Sequence, residues 1–266
     1  MTENEIEELK AYTANRFTNR ITNPEPEDSY SDTWQLWLES ESPCEILNTH
    51  ITPRRPVDFL QPEEVIIRIH DSFAGKIPLV ILGNDSDFEN FIVNASYRGE
   101  RPDDISQMGA SFTYGKKIKM LVLSKKFYSN TPAERVHLSR EEWRNKSMIL
   151  RLEHETVHYY TKKFYGTATN NIHDELIADF FGMRKALGHY DAELFMYFMG
   201  IDGSHEGRLS LYTSGMSENV KNEIAKIARR CSLFLERKQN EIEDSPSGID
   251  YLCRTGINGM SRLDIY

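Results

Sequence analysis

The chain has 266 residues, of which 39% are apolar and 27% charged, with a formal net charge of −9. That length suits one large domain or two joined lobes, burying roughly 70–75% of the unfolded surface, so no disulfide staples are needed. The acidic balance argues against a nucleic-acid partner, because nothing supplies a dense basic face.

Three cysteines, Cys44, Cys231 and Cys253, are odd in number and lack C-x-x-C spacing. Reduced thiols in a cytoplasmic protein are the expectation. Residues 1–20 are polar and acidic with no apolar core of a signal peptide, and no apolar run reaches membrane-span length. No membrane partner is expected.

In chain order, Thr2 and Glu5 form a capping box, and Ile6, Leu9, Tyr12, Phe17 and Ile21 recur at helical spacing. This predicts a helix over 3–20, ended by Pro24 and Pro26. Thr33–Leu38 fits either a strand or a short helix, and 43–56 is turn-rich. Pro62-Glu63-Glu64 reads as a first helical turn, continued through Val65–Phe73 to Gly75.

Ile77–Leu82 is short, branched and apolar between Gly75 and Gly83, the pattern of a buried strand. A short helix over 85–92 and a polar loop over 98–106 follow. Ala110–Tyr114 alternates with period two, Ile118–Leu123 is a further strand, and Gly115-Lys116 suits a hairpin between them. Ser139 and Glu142 make a second capping box, opening a helix to about Tyr165. Helices are then predicted at 172–187 with a stop at Gly188, at 191–199, and at 218–240 from a Ser217 cap; 245–266 is left unassigned. The fold class expected is α+β. A mixed lobe over 1–138 precedes a helical lobe over 139–266, as separate lobes or as one continuous domain.

The chemistry gathers at Arg151–Gly182. His154-Glu155-Thr156-Val157-His158 is an H-E-x-x-H run inside the capped helix. At i and i+4 the two imidazoles share one helix face and can bind one metal ion. Zinc takes neutral His nitrogen, and a catalytic site has three protein ligands and one open position. Glu155, about 100° round the helix from His154, can serve as general base to a water whose pKa the metal lowers to near 7. A third ligand must come from elsewhere. Glu175 is a candidate, with Asp179 one turn later placed to accept the free N–H of a ligand His. His173, Asp174 and Asp179 itself are competing ligands. The bland reading, two histidines making core hydrogen bonds, is weakened by the downstream Glu and Asp at helical spacing.

His154-Glu155-x-x-His158 with Glu175-x-x-x-Asp179 resembles the gluzincin, thermolysin-like arm of the zincin metallopeptidases. The resemblance covers about 26 of the 266 residues. The metzincin continuation His-x-x-Gly-x-x-His is absent after His158. The resemblance implies a zincin-like fold and one Zn2+ held by His154, His158 and Glu175, with Glu155 as base and Asp179 orienting a ligand His. It also implies a His or Tyr from the C-terminal part stabilising the oxyanion, for which His205, Arg208 and Tyr212 are candidates, and an edge strand receiving extended substrate, for which 112–114 is a candidate. The implied activity is zinc-dependent hydrolysis of a peptide or protein substrate. The alternatives are a zinc hydrolase of a non-peptide amide and a non-catalytic binding protein of zincin fold; an intact Glu155 favours an enzyme.

Overall fold

The computed structural model describes residues 1–24, 28–115, 119–168 and 171–262. Its first half runs α1 (Glu3–Thr13), α2 (Asp28–Ser40), α3 (Pro43–Ile46), β1 (Val65–Ser72), β2 (Gly75–Leu82), α4 (Asp85–Ser96), β3 (Ala110–Tyr114) and β4 (Lys119–Ser124). Among the described residues only helices follow: α5 (Arg140–Tyr165), α6 (Ile172–Leu187), α7 (Ala192–Met199), α8 (Leu209–Tyr212), α9 (Glu218–Lys238) and α10 (Pro246–Arg262). The molecule is therefore a mixed helix-and-sheet protein whose later half is helical. None of the described helices is long and apolar enough to cross a membrane.

The chain divides into two compact units, one of residues 23–159 and one of residues 1–22 with 160–266. The division falls inside α5 and returns the first 22 residues to the C-terminal part, where sequence alone suggested a boundary at 138.

The unit of residues 23–159 is built on a four-stranded sheet of order β1-β2-β4-β3. β1 is antiparallel to β2, β2 parallel to β4, and β3 antiparallel to β4, with Ile67 opposite Val80, Val80 beside Val122 and Phe112 opposite Leu121. The central strands β2 and β4 are buried along almost their whole length, as expected where both faces of a strand are covered. α4 packs on both of them. Trp34, Leu47, Val65, Phe88, Phe91 and Val122 belong to one apolar core.

In the other unit α9 packs against α1, α6, α7 and α10. Phe180, Phe195, Ile224, Phe234 and Leu252 are buried there.

Several expectations are corrected. The first helix stops at Thr13, not Arg20, because Ala14 is extended and the Asn15 side chain turns to the Cys253 carbonyl at 2.9 Å while accepting the Phe17 amide at 2.9 Å. Thr33–Leu38 lies within the helix α2. The helix expected over 62–75 is a single 3-10 turn, Pro62–Glu64, followed by strand β1. There Val65 and Ile67 are buried while Ile66 and Arg68 face out, and pairing with β2 overrides the helix-like start. Residues 246–262 are helical with a break at Gly256, whose φ is +65°. β3 and β4 pair antiparallel with Tyr114 opposite Lys119. Lys116 and Ile118, in the expected hairpin and the start of its second strand, lie outside the described residues.

Candidate metal centre

α5 begins as its sequence asks. Ser139 Oγ accepts the Glu142 amide at 3.2 Å, and the Glu142 carboxylate accepts the Ser139 amide at 3.0 Å, closing a capping box. Four turns on, His154 and His158 project from the same face, with their Nε2 atoms 2.9 Å apart and their ring planes nearly perpendicular. His154 is buried, and its other nitrogen, Nδ1, lies 2.9 Å from the Tyr128 hydroxyl. Tyr128 was not singled out in the sequence. Glu155, between the two histidines, is half-buried.

α6 presents the carboxylates. Asn171 caps it, its Oδ1 accepting the amides of His173 at 3.0 Å and Asp174 at 3.2 Å, which satisfies two of the four donors a helix start leaves open. Gly188 ends it. Glu175 and Asp179 are both buried, one turn apart. Arg208 bridges them: Nη1 donates to Glu175 Oε2 at 3.0 Å, and Nη2 donates to Asp179 Oδ2.

Arg208 is delivered by a tightly closed loop. A Cβ on Gly200 would meet the Gly207 nitrogen at 2.3 Å, and one on Gly207 would meet the Gly200 nitrogen at 2.2 Å. Only glycine allows that approach at both positions. The Arg208 amide then donates to the Phe198 carbonyl at 3.1 Å.

Tyr212 hydrogen-bonds Glu175, and burial together with the negative charge of Glu175 pushes its phenol well above the usual value. It therefore stays protonated and able to donate. His205, in contrast, is exposed on the loop with its Nδ1 2.9 Å from Ser204 Oγ and its ring against Tyr197. Of the three oxyanion candidates, Arg208 and Tyr212 are gathered at Glu175, and His205 stands among its own loop neighbours. The competing ligands are also accounted for. His173 is buried with Nε2 3.2 Å from the Leu252 carbonyl, and burial lowers its pKa. Asp174 Oδ1 accepts from Thr161 Oγ1 at 3.3 Å.

His154, His158 and Glu175 form a group in which the ligand atoms offered, one per residue, all lie within 4.8 Å of one another. Two imidazole nitrogens and one carboxylate oxygen are the donor set of a three-ligand catalytic zinc site. Around a tetrahedral ion with Zn–N bonds of about 2.0–2.1 Å the two nitrogens would stand roughly 3.3 Å apart. The observed 2.9 Å needs only a few tenths of an ångström of ring movement. A carboxylate offers about four acceptor sites, so Arg208 on Oε2 leaves room for an ion. The residues present fit a divalent cation.

A family model described as a family of unknown function, DUF7005, matches residues 45–117 and 113–255. No curated protein and no solved structure matches.

Proposed function

The chain belongs to the DUF7005 family, whose function is unknown, and we propose that it is a zinc-dependent hydrolase of peptide bonds with a zincin-like fold. The observation that carries this reading is the convergence of His154, His158 and Glu175 into one ligand group, with Glu155 inside the His pair. A zinc ion held there supplies a Lewis acid and lowers the pKa of water to about 7.

The remaining work belongs to the chain's own residues. Glu155 accepts a proton from the attacking water and returns it to the leaving amine. Tyr212 gives its one O–H to Glu175, and it serves the developing oxyanion by turning that donor from the carboxylate. Arg208 supplies the countercharge that lets Glu175 and Asp179 lie buried one turn apart. Cys44, Cys231 and Cys253 form no disulfide with one another, and a cytoplasmic setting belongs to the same proposal.

The test is metal analysis of protein purified without chelator, joined to a peptide-library cleavage assay on wild type and Glu155→Gln. The expected result is one zinc per chain in both proteins, with cleavage reduced about 10²–10⁴-fold by the substitution, the usual contribution of a general base. Protein without metal would overturn the reading. Zinc without cleavage across the library would sink the peptidase and leave a non-peptide amide or a binding role.

A further inference from the structure

The connection from β4 to α5 is laced to α5 by three of that helix's own side chains. Trp143 Nε1 donates to the Thr131 carbonyl at 2.7 Å. Ser147 Oγ accepts the Tyr128 amide at 2.9 Å. Arg151 donates from Nη1 to the Ser124 carbonyl and from Nη2 to the Lys126 carbonyl, each at 3.0 Å. Its guanidinium also lies 5.7 Å from the centre of the Tyr128 ring, within cation–π range.

Residues four apart form one stripe along a helix, so Trp143, Ser147 and Arg151 grip the strap at successive turns. All three are buried. The next turn of α5 carries His154, and there the strap presents the Tyr128 hydroxyl, 2.9 Å from His154 Nδ1.

We propose that Tyr128 is the positioning residue of His154, its phenol oxygen accepting the Nδ1–H and so leaving Nε2 as the nitrogen that faces a metal ion. Ser147 and Arg151 hold Tyr128 to that task. The inference rests on the metal-site reading above, and it adds a partner that neither the motif nor the downstream carboxylates supply. The hydrogen bond at one ring nitrogen decides which nitrogen carries the proton. A ligand His held in this way keeps both its tautomer and its ring angle. Tyr128 touches no reacting atom and acts only through His154.

The test uses the full chain, wild type against Tyr128→Phe, with two readouts. Zinc affinity measured by competition with a chromophoric chelator is expected to fall about 10–100-fold, the usual cost of losing a partner behind a ligand His. Nitrogen NMR of the metal-free proteins is expected to show His154 protonated at Nδ1 in wild type and losing that preference in the variant. Ser147→Ala, which loosens Tyr128 but keeps the phenol, should shift both readouts the same way by less, and it replaces Tyr128→Phe if that variant does not fold. Unchanged zinc affinity with an unchanged tautomer overturns the proposal. A wild type that binds no zinc sinks the metal reading, and the tautomer measurement then decides the role of Tyr128.

Discussion

Arg208 places one guanidinium between two carboxylates whose side chains are 4% and 0% exposed, while its own is 19% exposed. Arg208→Met keeps the apolar stem and removes the charge, leaving Glu175 and Asp179 without that compensation. The expected cost is about 3 kcal/mol in urea unfolding, the low end for breaking a buried pair because Arg208 keeps some contact with water. Zinc should restore part of this loss, since a divalent ion at Glu175 is an alternative countercharge. A midpoint unmoved by the substitution would mean that the carboxylates are not dependent on Arg208. At this scale the candidate site was partly legible. His154 and His158 follow from local i, i+4 arithmetic, and Glu175 and Asp179 from the same arithmetic on a second helix. Tyr128 was not, because its contact with His154 spans 26 positions through a strap with no periodic pattern. Arg208 was noticed as an oxyanion candidate, whereas the structure pairs it with the two carboxylates, a long-range match of charges that no spacing reveals.

Helix α6 shows how far one element can be read from its ends. Gly188 ends it where the sequence predicts a stop, and the structure adds Asn171 as the cap just before the expected start at 172, because cap chemistry is local. Asn171→Ala should cost about 0.5–2 kcal/mol of stability. The buried amides of His173 and Asp174 lose an acceptor at the turn that precedes Glu175. A urea midpoint equal to that of wild type would mean that water replaces the Asn171 oxygen. β1 teaches the opposite lesson. Pro62-Glu63-Glu64 does start a helical turn, but the branched residues after it gain more from pairing with Gly75–Leu82 than from continuing the helix. Only the partner strand, ten to twenty residues away, decides that contest.

At the scale of the whole chain, the N-terminus is tied to residues more than two hundred positions later. The Glu5 carboxylate accepts from Ser217 Oγ at 2.8 Å and Asn219 Nδ2 at 3.0 Å. The Thr2 amide first, then Ser217 and Asn219, hold its pKa down to about 2 from an ordinary 4.5. A carboxyl lowered in the folded state adds stability that is in place above its ordinary value and is lost as pH falls through the lowered one. α1 should therefore stay docked at pH 5 and loosen as pH approaches 2. An NMR titration is expected to give a Glu5 midpoint near 2, rising toward the ordinary value in Asn219→Ala. A wild-type midpoint already at the ordinary value would break the argument. The return of residues 1–22 to the C-terminal unit was illegible for the same reason as Tyr128: no local pattern announces a partner so distant.

The touching backbones of Gly200 and Gly207 carry a consequence for how this protein can vary. They tie off the segment between them at its neck, so Arg208 takes its place from the neck and not from the length of chain beyond it. Lengthening a flexible loop costs only about 0.6 kcal/mol per doubling. The stretch around Gly203 and Ser204 is thus an appendage that can be enlarged, by evolution or by an engineer seeking room for a label, while the charge balance at Glu175 and Asp179 stays as it is.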